Sequence, residues 1–96
     1  MSVKVIGLIR LKDSVAFSEY KSKVGATVEL YGGVVSGRGS LQKTYWDQLT
    51  TGCFDAYVEL SFPTAEAADS WAKSQEYQSI LAIREVALEV TLFRVS

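Results

Sequence analysis

The sequence contains no histidine. That absence removes Ser-His-Asp and Cys-His nucleophilic catalysis, histidine-ligated haem and histidine-containing zinc sites. Acid–base chemistry is left to Asp, Glu, Tyr, Lys, Cys, a substrate group or water. Cysteine occurs once, at Cys53, so no disulfide can form within the chain, which fits a reducing compartment. Proline also occurs once, at Pro63, and there is no low-complexity run; both facts argue against disorder. Net charge is −1 and no stretch carries a block of one sign. The basic stripe of a nucleic-acid binder is therefore missing, and weak acidity offers no attraction to an anionic membrane. The apolar run VIGLI is too short for a signal-peptide core or a membrane span, so a cytoplasmic address is expected. Neither GRGS nor YGG shows the full nucleotide-loop pattern before a helix, and no metal motif is present; the expectation is a protein without cofactor or metal.

What is present is enough for one core. Ninety-six residues, 48% of them hydrophobic, predict a single domain over residues 1–96. VKVIGLIRL (Val3 to Leu11) reads as a strand, apolar on both faces at its middle and so covered on both. Asp13 and Ser14 are helix-start residues, and Phe17, Tyr20, Val24, Val28 and Tyr31 follow at helical spacing. Gly25 weakens that helix and Gly32-Gly33 stops it. VVSGRGSLQ (Val34 to Gln42) predicts a glycine-containing edge or bulged strand. DAYVELSF is a clearer strand, with Ala56, Val58, Leu60 and Phe62 alternating against Tyr57, Glu59 and Ser61. Pro63 ends it. Thr64 can cap a helix from about Ala65 to Lys73, and Ser74 a second piece on which Tyr77, Ile80, Leu81 and Arg84 share a face. ALEVTLFRV (Ala87 to Val95) is the last strand.

The order strand, helix, strand, strand, broken helix, strand is the α+β ferredoxin-like βαββαβ arrangement, a four-stranded antiparallel sheet with both helices on one face. No third helix remains to cover the other face. A homodimer packing sheet against sheet is the economical solution.

The segments YGG, GRG and ELSFPTAEAADSWAKSQEYQSILAIR resemble the domain of unknown function 1330 family over nearly the whole chain. The resemblance implies the dimeric α+β barrel superfamily. It also places the family's recurrent polar and aromatic residues on Tyr20, Tyr31, Arg38, Glu59, Trp71, Ser74, Tyr77 and Arg84. The sequence departs from the family pattern at the inserted Ser61, at Gly25 where many relatives have proline, and in the QKTYWDQLTTGC hairpin.

Each of these positions has two readings. Arg38, between two glycines, is either a guanidinium aimed at a carboxylate or enolate, or an edge-strand arginine paired with Glu59 or Asp55. Glu59 is either a general base with a raised pKa or half of a structural salt bridge. Tyr20 and Tyr77 are core residues with satisfied hydroxyls, or donors to a carbonyl or phenolate. Trp71 is a core wall or a stacking surface, and Ser74 a helix cap or a catalytic hydroxyl. Arg84 pairs with Glu59, Glu85 or a second copy, or else binds an anion. Cys53 is a surface thiol. Two functions follow. One is a cofactor-independent enzyme holding a small polar or aromatic molecule between helices and sheet, with Arg38, Glu59 and Tyr77 catalytic and Tyr20, Trp71, Ser74 and Arg84 binding. In that reading superfamily analogy leaves acid–base or oxygenase-type chemistry open. The alternative is a non-catalytic homodimer that binds a metabolite or a partner protein.

Overall fold

The computed structural model describes residues 2–96. Their order is β1 (Val3–Leu11), α1 (Ser14–Glu29), β2 (Val34–Ser40), β3 (Ala56–Phe62), α2 (Ala65–Lys73), α3 (Gln75–Gln78), α4 (Leu81–Ala87) and β4 (Leu88–Val95). The strands form one sheet in the order β2-β3-β1-β4, every neighbour antiparallel. This is the ferredoxin-like α+β arrangement.

Side-chain oxygens set the helix starts. Asp13 Oδ2 accepts from Ala16 N at 3.0 Å and Thr64 Oγ1 from Ala67 N at 3.0 Å. Each satisfies one of the amide donors that the first helical turn leaves unpaired. Helix α1 runs unbroken through Gly25 and ends in a paired motif. Gly33 N bonds Val28 O and Gly32 N bonds Glu29 O, both at 3.0 Å, with Gly32 at φ +79°. That left-handed turn is why a glycine stands there. At Gly33 the reason is different: a Cβ would lie 2.7 Å from the Phe62 ring and 2.8 Å from Val28.

The second helical region is divided twice, not once as its sequence predicts. Ser74 is extended, ends α2 and caps α3, its Oγ accepting from Tyr77 N at 3.0 Å. A second break falls at Ile80, which begins α4 without a side-chain cap. Strand β2 stops at Ser40, two residues short of the expected end, and its register shifts between Val35 and Gly37. The bulge fits its place at the sheet edge.

Cross-strand pairing assigns the two faces. Val5, Gly7 and Ile9 sit opposite Leu60, Val58 and Ala56, and all point toward the helices. The core gathers there, with Phe62 and Val28 almost fully enclosed and Trp71, Tyr77, Ile80 and Leu88 buried around them. Lys4, Ile6, Leu8, Tyr57, Glu59, Phe93 and Val95 occupy the opposite face by the same alternation. No helix covers it.

Candidate functional site

Between α1, α2 and the helix-side face of the sheet lies a cavity of about 320 Å3. Phe17, Val24, Val58, Leu60, Trp71 and Leu92 give it an apolar wall. Gly7 helps to open it: a Cβ there would come within 2.7 Å of Val58 and 3.1 Å of Leu92, two of the lining residues. The polar residues Tyr20, Lys21, Arg38 and Ser40 also line it. Arg38 and Lys21 are solvent-exposed, so they stand where the cavity meets water. Among the described residues neither makes a salt bridge. Arg38 is aimed to this side by strand alternation, opposite Val58, while its neighbours Gly37 and Gly39 lie on the other face.

Behind the cavity is a buried polar chain. Arg84 Nη1 donates to Tyr77 Oη at 2.9 Å, and Tyr77 Oη is 2.9 Å from Tyr20 Oη. Tyr77 does not line the cavity; Tyr20 does. Burial, and then the neighbouring Tyr77, push the Tyr20 hydroxyl well above the ordinary tyrosine range, so it stays neutral. Trp71 holds the chain in place. Its ring centroid is 4.5 Å from that of Tyr77 and its Nε1 donates to Thr27 Oγ1 at 3.0 Å. Ser74 acts as a cap, bonding Trp71 O and Tyr77 N, and so fixes where both rings lie.

Glu59 is elsewhere. It projects from the uncovered sheet face, where Tyr57 Oη donates to it at 2.7 Å, Ser36 Oγ at 2.8 Å and Lys4 Nζ at 3.0 Å. The Tyr57 bond first, then Lys4 and Ser36, hold its carboxyl down at about 2 rather than raising it. This corrects two expectations. Glu59 is not a base of raised pKa, because three donors stabilise its charged form. Nor is it the partner of Arg38 or Arg84, because its odd-numbered place in β3 puts the sheet between them. Arg84 bonds Tyr77 instead of Glu59 or Glu85, and Arg38 has no hydrogen-bonded or ionic partner among the described residues. The geometry therefore brings Tyr20, Tyr77, Trp71, Ser74 and Arg84 together, places only Tyr20, Trp71 and Arg38 of the expected residues on the cavity, and leaves Glu59 out. Lys21 and Gly7 escaped notice in the sequence. The first is one exposed lysine among several, and the second needs its cross-strand neighbours to acquire meaning.

No group of three or more His, Cys, Asp or Glu side chains among the described residues is placed to hold a metal ion. No described helix is long and apolar enough to cross a membrane.

The fold is that of a small ferredoxin-like α+β protein, and Arg38 and Lys21 edge its open, mainly apolar cavity. The chain belongs to the family Domain of unknown function (DUF1330), which it matches over residues 3–96. No curated protein matches it. Solved structures share the fold. A protein of unknown function from Rhodopseudomonas palustris superposes with a TM-score of 0.81 at 18% identity, over 98% of this chain and 80% of that one. SnoaB, a cofactor-independent oxygenase from Streptomyces nogalater, gives 0.69 at 9% identity over 99% and 91%. A dimeric ferredoxin-like protein of unknown function from Jannaschia sp. CCS1 gives 0.64 at 9% identity over 100% and 99%.

Proposed function

We propose that the protein binds a small, mainly apolar and anionic molecule, such as an aromatic acid or phenolate, in the chamber between its helices and sheet. The observation that carries the proposal is Arg38: an unpaired guanidinium on the wall of an apolar cavity of about 320 Å3. That volume lies within the usual range for small-molecule sites, about 300–1,000 Å3. Arg38 and Lys21 attract the charged end, and Phe17 and Trp71 offer flat surfaces to a ring.

The inner end of the ligand meets Tyr20. The two buried tyrosines carry two hydroxyl hydrogens, and only one is used in the bond between them. Accepting from the Arg84 guanidinium makes Tyr77 the better donor of the pair. Tyr77 then donates to Tyr20, and the Tyr20 hydrogen is left for a ligand oxygen. Tyr20 and Arg38 thus serve as a neutral and a charged donor, a pair that suits a carbonyl, phenolate or enolate.

Among the described residues no carboxylate, cysteine or histidine lines the chamber. This favours binding, or chemistry that relies on the ligand's own acidity, over catalysis by a protein base. SnoaB, of similar fold, is described as a cofactor-independent oxygenase, and oxygenase-type chemistry on a ligand that is itself acidic is the reaction class proposed if the site is catalytic.

We also propose that the uncovered sheet face pairs with a second copy. Ile6, Leu8, Phe93 and Val95 share that face, and Phe93 and Val95 are exposed in the single chain. The Jannaschia relative of the same fold is described as dimeric.

Thermal unfolding with benzoate and 1-naphthoate, each against its uncharged alcohol analogue, tests the binding proposal. A ligand that binds only the folded state raises Tm with concentration. The acids are expected to raise it more than the alcohols, Arg38→Ala to abolish the difference, and Leu92→Trp, which fills the cavity, to abolish the shift. Shifts insensitive to both substitutions would overturn the proposal.

A further inference from the structure

Fifteen residues, 41–55, join β2 to β3 without helix or strand. Connections of this length in compact domains are uncommon and usually functional. This one is tied down at its base and folded at its tip. Leu41 N bonds Asp55 O at 2.9 Å, Asp55 N bonds Ile9 O at 2.7 Å, and Arg10 Nε donates to Cys53 O at 2.9 Å. At the tip, Thr51 N and Oγ1 both donate to Asp47 Oδ1, at 3.0 and 3.1 Å. Yet the held loop displays three large side chains to water: Tyr45 is 76% exposed, Trp46 84% and Leu49 89%. Single exposed apolar residues are ordinary, but three within five positions of an anchored loop form a patch.

The loop stands on the uncovered side of the sheet. Its returning half, Thr51 to Phe54, shares a depression of about 280 Å3 with Leu8, Arg10, Glu89 and Thr91. Those β1 and β4 side chains all belong to the face without helices, as register shows. Tyr57 lines a second depression together with Leu41, Tyr45 and Phe54 of the loop. Anything laid on that face therefore abuts the loop.

We propose that the 41–55 loop is an arm that clasps a second copy of this chain, seating Trp46 and Leu49 in the dimer interface. The inference rests on the sheet-to-sheet pairing proposed above. Tryptophan and tyrosine are the side chains most enriched at interface centres. A two-fold axis makes the contact reciprocal, so each subunit both gives an arm and receives one. The arm then extends the contact beyond the sheet, whose face also carries the charged pair Glu59 and Lys4, less suited to apolar packing.

Trp46 and Trp71 are the only tryptophans, so one substitution isolates each signal. Subtracting the emission of Trp46→Phe from that of the unaltered protein gives the Trp46 spectrum. Sedimentation equilibrium on the same samples gives the oligomeric state. In the dimer the Trp46 emission is expected to be blue-shifted and shielded from iodide. Trp46→Ala with Leu49→Ala is expected to weaken dimerisation roughly tenfold or more, with far-UV circular dichroism unchanged. A dimer in which iodide quenches Trp46 as freely as it quenches free indole would overturn the clasp and leave the sheet pairing standing. A monomer at micromolar and higher concentration would overturn both.

Discussion

Replacing Tyr77 by phenylalanine removes one oxygen and breaks two bonds, and its cost tests the buried chain behind the cavity. Tyr77 is 3% exposed, and its hydroxyl holds both Tyr20 Oη and Arg84 Nη1 at 2.9 Å. In Tyr77→Phe without ligand, the Tyr20 hydroxyl keeps no protein partner among the described residues. A stranded buried hydroxyl costs about 1–3 kcal/mol. Arg84 is only half-buried, so water can replace what it loses. Tyr20→Phe leaves the Tyr77 hydroxyl its bond from Arg84 but strands the hydrogen it gives to Tyr20, at a similar cost of about 1–3 kcal/mol. The double substitution strands no hydroxyl and should cost no more than Tyr77→Phe alone. Its effect then falls short of the sum of the singles by about 1 kcal/mol, the mark of residues acting as one unit. For a domain of this size 1 kcal/mol corresponds to a Tm change of about 4–8 °C. Urea denaturation at neutral pH, with unchanged m values, measures all three variants. Strict additivity of the two substitutions would refute the chain Arg84, Tyr77, Tyr20.

The other predictions concern backbone space and pH. Gly33→Ala should destabilise by about 1–3 kcal/mol through overpacking, because its Cβ would meet Phe62 and Val28 below 3.0 Å. Gly25→Ala should instead stabilise by about 0.5–1 kcal/mol, being helical with open space around it; denaturant midpoints read both effects. Glu59, held at about 2 against an ordinary 4.5, stabilises the fold only while ionised. That contribution is complete above about pH 4.5 and is lost as pH falls toward 2. Glu59→Gln should therefore flatten the acid limb of stability against pH while leaving ligand-induced Tm shifts unchanged. Identical acid limbs in the two proteins would show that the Tyr57, Lys4 and Ser36 contacts do not hold in solution.

The fold was legible because its punctuation is chemical. Asp13, Thr64 and Ser74 announce helix starts and Gly32-Gly33 a helix end, and each does so in the structure. The break at Ile80 was not legible, since no cap residue marks it. Part of the candidate site's geometry was legible as well. Tyr77 and Arg84, seven residues apart, do meet, and Tyr20 does join them. Glu59 misled because a carboxylate in an apolar strand invites a functional reading. Its phase said otherwise: Val58 and Leu60 on either side face the core, so Glu59 must face away. Gly7 and the exposure of the 41–55 arm depend on contacts between distant segments, which local pattern does not carry.

The central claim is that the chamber beside Arg38 and Tyr20 is the binding site. Mapping amide chemical shifts during titration with 1-naphthoate tests it directly. The account predicts saturable changes concentrated at Tyr20, Lys21, Arg38, Val58 and Leu92, lost in Arg38→Ala. Changes confined to the opposite face around Lys4, Ile6 and Glu59, or to the loop around Trp46, would contradict it.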